Sequence, residues 1–146
     1  MIVKICGIKT VSHALTAARH GADLVGIVFV PGRRRMLDLA AARSMCEELR
    51  SNNDKVPEIV GLFSDQSLEE VNYAIDYCSL DMVQLCGNET LSYCDAIECK
   101  IIKVIQIPVK SKDPDFVRSL SSLISKYSDK GYYVTLDSLI PGYEGG

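Results

Sequence analysis

No stretch of the chain is apolar over enough residues to span a bilayer, and Met1 leads straight into a β-rich run without a secretory leader. A cytoplasmic protein with no membrane partner is the expectation. Excess positive charge is lacking too. The 146 residues carry 16 Lys and Arg against 19 Asp and Glu, a net charge of −3, which argues against nucleic acid as a partner. Histidine is scarce, with only His13 and His20. None of the six cysteines (Cys6, Cys46, Cys78, Cys86, Cys94, Cys99) forms a C-x-x-C pair. Zinc calls for closer-spaced ligands, so no metal is expected, and in a reducing compartment the thiols stay free. Glycine-rich phosphate loops are missing as well. The turn Gly7-Ile8-Lys9-Thr10 has no G-x-G-x-x-G and no P-loop occurs, so a nucleotide cofactor is unsupported.

What remains is an ordinary globular mixture, 47% apolar and 24% charged, of a length that suits one domain over 1–146. Short, nearly unbroken β-rich runs occur at Ile2–Cys6, Leu24–Val30, Ile59–Phe63, Met82–Leu85, Ile101–Ile107 and Tyr132–Leu136. Strands covered on both faces read in this way. Stretches of helical period separate them. Residues 11–20 follow Thr10 and stop at Gly21. Residues 39–50 follow Asp38, a plausible N-cap, and gather Ala42, Met45, Cys46 and Leu49 on one face. Ser67-Leu68-Glu69-Glu70 has capping-box spacing ahead of Val71, Ala74 and Ile75. A short helix is expected over 90–97. Asp113-Pro114 opens the last helix, which runs through Val117, Leu120, Ile124 and Tyr127 to Gly131.

The order is therefore β-α five times and then a sixth strand, which implies right-handed crossovers and a parallel sheet. An open doubly wound sheet and a (β/α)8 barrel both fit that order. A barrel takes about 200 residues or more, and this chain stops two βα units short.

On the barrel reading, three features fall where catalytic groups sit, just past strand ends. They are Cys6, the run Arg33-Arg34-Arg35 after Val30-Pro31-Gly32, and Asp137 at the end of Val134-Thr135-Leu136-Asp137. Each alone has a simpler reading: a packed thiol, a solvated loop, a capped turn. Together, an acid, a thiol base and a cation around one rim serve proton transfer on an anionic substrate. Gly61–Asp65 and Gln84–Glu89 close two further strands, and either lines a pocket or supplies turn chemistry for the helix that follows.

At these residues the chain resembles the phosphoribosylanthranilate isomerase family, (β/α)8 barrels of tryptophan biosynthesis. Lys4-Ile5-Cys6-Gly7-Ile8 is similar to the family's opening K-I-C-G-I. Gly21-Ala22-Asp23 with Gly26-Ile27-Val28-Phe29 is similar to G-A-D-x-x-G-F-x-F, and Val60-Gly61-Leu62-Phe63 to V-G-V-F. The stretch from Asp81 to Glu89 is similar to D-x-V-Q-L-H-G-x-E. Leu136-Asp137-Ser138 with Gly145-Gly146 is similar to L-D-[ST] ahead of G-G-[ST]-G-K. The resemblance implies an Amadori rearrangement of N-(5-phosphoribosyl)anthranilate to 1-(2-carboxyphenylamino)-1-deoxyribulose 5-phosphate, with no cofactor or metal. By the same resemblance Asp137 is the general acid that opens the ribose ring, and Cys6 is the base that removes the C2′ proton. Arg35 faces the anthranilate carboxylate, while Gln84, Cys86, Gly145 and Gly146 fall in substrate-binding motifs. A pocket with arginine raises the thiolate fraction of a base such as Cys6. An aspartate acting as acid needs burial or nearby negative charge.

The chain departs from the family pattern twice. Cys86 stands where the family has histidine, and a thiol holds no cation. The chain also ends inside the loop after the sixth strand, ahead of the two strands whose loops hold the substrate phosphate in the family. A sheet interrupted there exposes its first and sixth strands. It is expected to aggregate, to pair with a second copy as a homodimer, or to belong to a longer polypeptide, and the last is favoured because the sequence breaks off within a motif. A reading of another class is an inactive, truncated barrel that binds a partner or itself through those edges.

Overall fold

The computed structural model describes residues 1–52, 56–108 and 114–139. The strands are β1 (Lys4–Cys6), β2 (Leu24–Val28), β3 (Glu58–Phe63), β4 (Met82–Leu85), β5 (Lys100–Pro108) and β6 (Tyr133–Leu139). The helices are α1 (Val11–Arg19), α2 (Leu39–Arg50), α3 (Leu68–Cys78), α4 (Leu91–Asp95) and α5 (Pro114–Ser128). Each strand pairs in parallel with the next, and the sheet order is β1-β2-β3-β4-β5-β6. A doubly wound sheet reverses its strand order partway, whereas a barrel steps in one direction throughout. The sheet is a six-stranded sector of a (β/α)8-type barrel, and the open-sheet alternative is excluded.

The sheet separates two apolar clusters. On its outer face Val25, Ile27, Ile59, Phe63, Val83, Leu85, Ile101 and Ile105 pack against Ala14, Ala42, Met45, Cys46, Leu49, Val71, Ala74 and Cys78 of the helices. Leu24, Val28, Val60, Leu62, Met82 and Ile102 form the second cluster on the inner face. Burying a large apolar side chain is worth roughly 1.5–3 kcal/mol, so the outer cluster holds the helices to the sheet. Cover ends at the two edge strands. Ile5 of β1 and Leu136 of β6 are 42% and 49% exposed, although each lies on a face that is buried in the central strands.

Helix starts agree with the sequence reading. Thr10, Asp38 and Ser67 accept from the backbone N–H groups of His13, Ala41 and Glu70, and Ser67 and Glu70 complete a capping box. Gly21 and Gly131 follow the first and last helices with φ of 91° and 84°. Asp113, expected to cap α5, lies outside the described residues. β2 ends two residues early because the chain folds back on it: Leu37 N donates to Val28 O at 2.9 Å. β6 runs three residues past the expected end, since its pairing with β5 continues to Leu139. Among the described residues no helix is long and apolar enough to cross a membrane.

Candidate active site

The first strand–helix turn is built around one carbonyl. Gly7 N and Ile8 N both donate to Gly26 O at 2.9 Å, which ends β1 at Cys6 and turns the chain towards α1. Gly7 has φ of 76°, a conformation that side chains with a Cβ rarely adopt. Its missing side chain leaves room for Arg35. A carbon there would sit 2.6 Å from Arg35 Nε. Arg35 Nη1 donates to Cys6 O at 2.9 Å.

Arg35 reaches that position because its loop is folded tightly. Arg33 N donates to Val30 O, Met36 N to Arg33 O at 3.0 Å, and Met36 bridges to Val28. Arg35 is half-buried and Arg34 is exposed. The structure thus brings Arg35 and Cys6, 29 residues apart, into direct contact.

Register places the remaining candidates. Cys6 pairs with Gly26, Gly26 with Val60, Val60 with Met82, and Met82 with Lys100. Side chains alternate along a strand, so Gln84 and Gln106 share the inner face with Cys6, and Asp137 joins them by pairing with Gln106. Cys6 and Cys86 both pack on the inner cluster. Gln84 Nε2 donates to Cys86 Sγ at 3.3 Å. Burial pushes the Cys86 thiol up, opposed by that hydrogen bond and by the Lys4 ammonium. Beneath them opens a cavity of about 250 Å3, lined by Lys4, Glu58, Met82, Gln84, Ile102 and Thr135 among others.

Asp137 differs in setting from its expected role. It lies within β6 rather than just beyond it, is exposed, and accepts from Ser138 N at 2.8 Å. Burial, one of the two conditions for an acid there, is not met on this open edge. Gly145 and Gly146 lie outside the described residues. Among those described, no three His, Cys, Asp or Glu side chains converge as metal ligands.

Sequence reasoning missed a polar clamp beside the site. Lys103, in the middle of an apolar strand, is buried on the outer face. It donates to Glu89 Oε2 and to Gly87 O, each at 2.6 Å. Glu89 Oε1 accepts from Asp65 N at 2.9 Å and from Gly87 N at 3.2 Å. Asp65, at φ of 58°, accepts from Asn88 N at 2.6 Å. These bonds tie the loops after β3 and β4 to strand β5 as one unit behind Gln84 and Cys86. The signal was a lysine inside an otherwise continuous apolar run.

Residues 3–128 match the family model for N-(5'-phosphoribosyl)anthranilate isomerase. A curated relative of that name from Dehalococcoides mccartyi is 43% identical over 104 residues, 71% of this chain and 47% of its own length. Another, from Roseiflexus castenholzii, is 32% identical across 100% of this chain. The chain spans 66% of that second relative. The crystal structure of phosphoribosyl anthranilate isomerase from Thermotoga maritima superposes with a TM-score of 0.79 at 31% identity, covering 100% of this chain and 66% of the other. A structure of the enzyme in complex with reduced 1-(o-carboxyphenylamino)-1-deoxyribulose 5-phosphate superposes at 0.73, also at 31% identity, over 96% of this chain and 77% of the other. With sheet order and sequence in agreement, the chain belongs to the N-(5'-phosphoribosyl)anthranilate isomerase family.

Proposed function

We propose that this chain, as a single domain over 1–146, carries the proton-transfer part of an aldose–ketose isomerase that rearranges N-(5-phosphoribosyl)anthranilate. The observation that carries this reading is Arg35 held on the backbone of Cys6 at the mouth of the inner face. A carboxylate bound to that guanidinium places the attached sugar next to the thiol. Asp137 protonates the ring oxygen, and the ring C–O bond breaks to leave a Schiff base. Cys6 then takes the C2′ proton, and the electron pair shifts to give an enolamine, which tautomerises to the ketone. The steps need protons and no electron acceptor, so neither a cofactor nor a metal is assigned. Gln84 and Cys86 line the substrate pocket, and Gly145 and Gly146 take part in substrate binding. A biosynthetic enzyme acting on a small phosphosugar fits the cytoplasm, and a second copy covering the edge strands would form a homodimer.

The test is the loss of substrate fluorescence with phosphoribosylanthranilate generated in situ, run beside Cys6→Ala. Turnover that disappears in Cys6→Ala supports the reading. A folded chain without turnover favours the other reading, an inactive barrel sector that associates through β1 and β6, whose Ile5 and Leu136 are uncovered. Sedimentation of the same sample then reports whether copies pair.

A further inference from the structure

Lys4 has no part in the proposed chemistry, yet its side chain is directed at the base. Lys4 pairs in register with Leu24 and Cys6 with Gly26, so the lysine starts one layer below the thiol on the same face. It does not stay there. A side-chain carbon at Gly26 would lie 3.0 Å from Lys4 Nζ and 3.1 Å from Cys6 Sγ. Both atoms therefore converge on a position of β2 that carries no side chain. They are no more than about 6 Å apart, within the range over which a cation favours a neighbouring anion.

The surrounding carboxylates leave the ammonium to the inner-face thiols, Cys6 beside it and Cys86 further along. Lys4 enters no ion pair among the described residues. Glu58, which lines the same cavity, is engaged by Lys100 at 2.6 Å. The other groups towards Cys6 are Arg35, whose Nη1 is bonded to the Cys6 carbonyl, and Cys86 from β4's end, while Gln84 is neutral. Asp137 lies on the far edge strand.

We propose that Lys4 is a positioning residue for Cys6: its ammonium, drawn over Gly26, holds negative charge on the sulfur and so maintains it as a proton acceptor. This rests on the reading of Cys6 as the base. Gly26 is part of the device, because a side chain there would press on Leu62 and on both partners.

Thiol reactivity tests this without recourse to turnover. The full chain, Lys4→Met and Lys4→Arg are alkylated with iodoacetamide at pH 7, and modification is followed by mass on the Cys6 and Cys99 peptides. Lys4→Met is expected to slow Cys6 alkylation about three- to tenfold, with Lys4→Arg close to the unsubstituted chain and Cys99 unchanged. Equal Cys6 rates in Lys4→Met and the unsubstituted chain overturn the proposal. Should Lys4→Met not fold, a salt series on the unsubstituted chain decides. Screening slows Cys6 if the ammonium acts on it, and a salt-independent rate overturns the proposal. An unchanged alkylation rate in an active enzyme leaves the isomerase reading intact, and a changed rate in an inactive chain leaves Lys4's role intact.

Discussion

Arg35 and Cys6 meet through a backbone carbonyl, with the guanidinium Nη1 2.9 Å from the Cys6 oxygen. The carbonyl of one residue thus anchors the cation while the side chain of the same residue faces the inner cluster. Loop and strand end are coupled through a single peptide unit, and Gly7 is what permits their approach.

Gly7→Ala should break that coupling. The added methyl meets the Arg35 guanidinium, and a φ of 76° costs a residue with a Cβ roughly 1–2 kcal/mol. Arg35 can swing away, so the chain should still fold. The expected result is a stability loss of that order by urea unfolding, together with a rise in KM larger than any fall in kcat. An unchanged KM would show that substrate does not depend on where Arg35 sits.

The Lys103–Glu89 pair supports a sharper stability prediction. Both side chains are almost wholly buried, 5% and 2% exposed. Removing one charge strands the other, which typically costs 3–5 kcal/mol, roughly, whereas replacing both with apolar groups costs much less. Lys103→Met alone should therefore lower the urea midpoint more than Lys103→Met combined with Glu89→Leu. If the single substitution proves the milder, the pair is not acting as a buried ion pair. The double variant should still reduce turnover, because Glu89 also holds the amides of Asp65 and Gly87 behind Gln84 and Cys86.

Strand and helix order was legible because apolar runs and caps are local signals, and Thr10, Asp38 and Ser67 act where their spacing placed them. Choosing between an open sheet and a barrel was not a local matter, since it depends on which strand pairs with which. Cys6 and Arg35 could be singled out from the chain, but their contact depends on a loop that folds back through Met36 and Leu37. Lys103 escaped notice for a different reason. Its partner Glu89 read as turn chemistry, and only the packed structure brings the two within 2.6 Å. Lys4 was noted only within a motif, because its reach past Gly26 follows from register and an absent side chain together.

Cys86→His tests whether the family's imidazole improves substrate binding on this scaffold. The present thiol is a weak donor that accepts from Gln84 at 3.3 Å, whereas an imidazole can donate firmly and carry charge. One added hydrogen bond is worth about 0.5–1.5 kcal/mol, so KM should fall about two- to tenfold with kcat little altered. A rise in KM would mean that the pocket has repacked around the smaller thiol.

The buried thiols also predict how the fold responds to alkali. Burial pushes Cys46 from 9.0 up to about 12, and Cys78, Cys94 and Cys99 are pushed the same way for the same reason. The folded chain keeps these protons at a pH where the unfolded chain has released them. Stability from this source is therefore complete below about pH 9 and is lost as the pH rises towards the folded values, at up to about 1.4 kcal/mol per pH unit for each such thiol. Cys46 is 1% exposed against α2's partners, so Cys46→Ala should cost some packing at pH 7. It should also lack one of the alkaline losses. Urea midpoints measured under reducing conditions from pH 7 to 11 should bring the two proteins together as the pH rises, by about 1–2 kcal/mol in the upper part of the range. Parallel curves would mean that Cys46 titrates alike in the folded and unfolded chains, and that its burial does not set the alkaline limit.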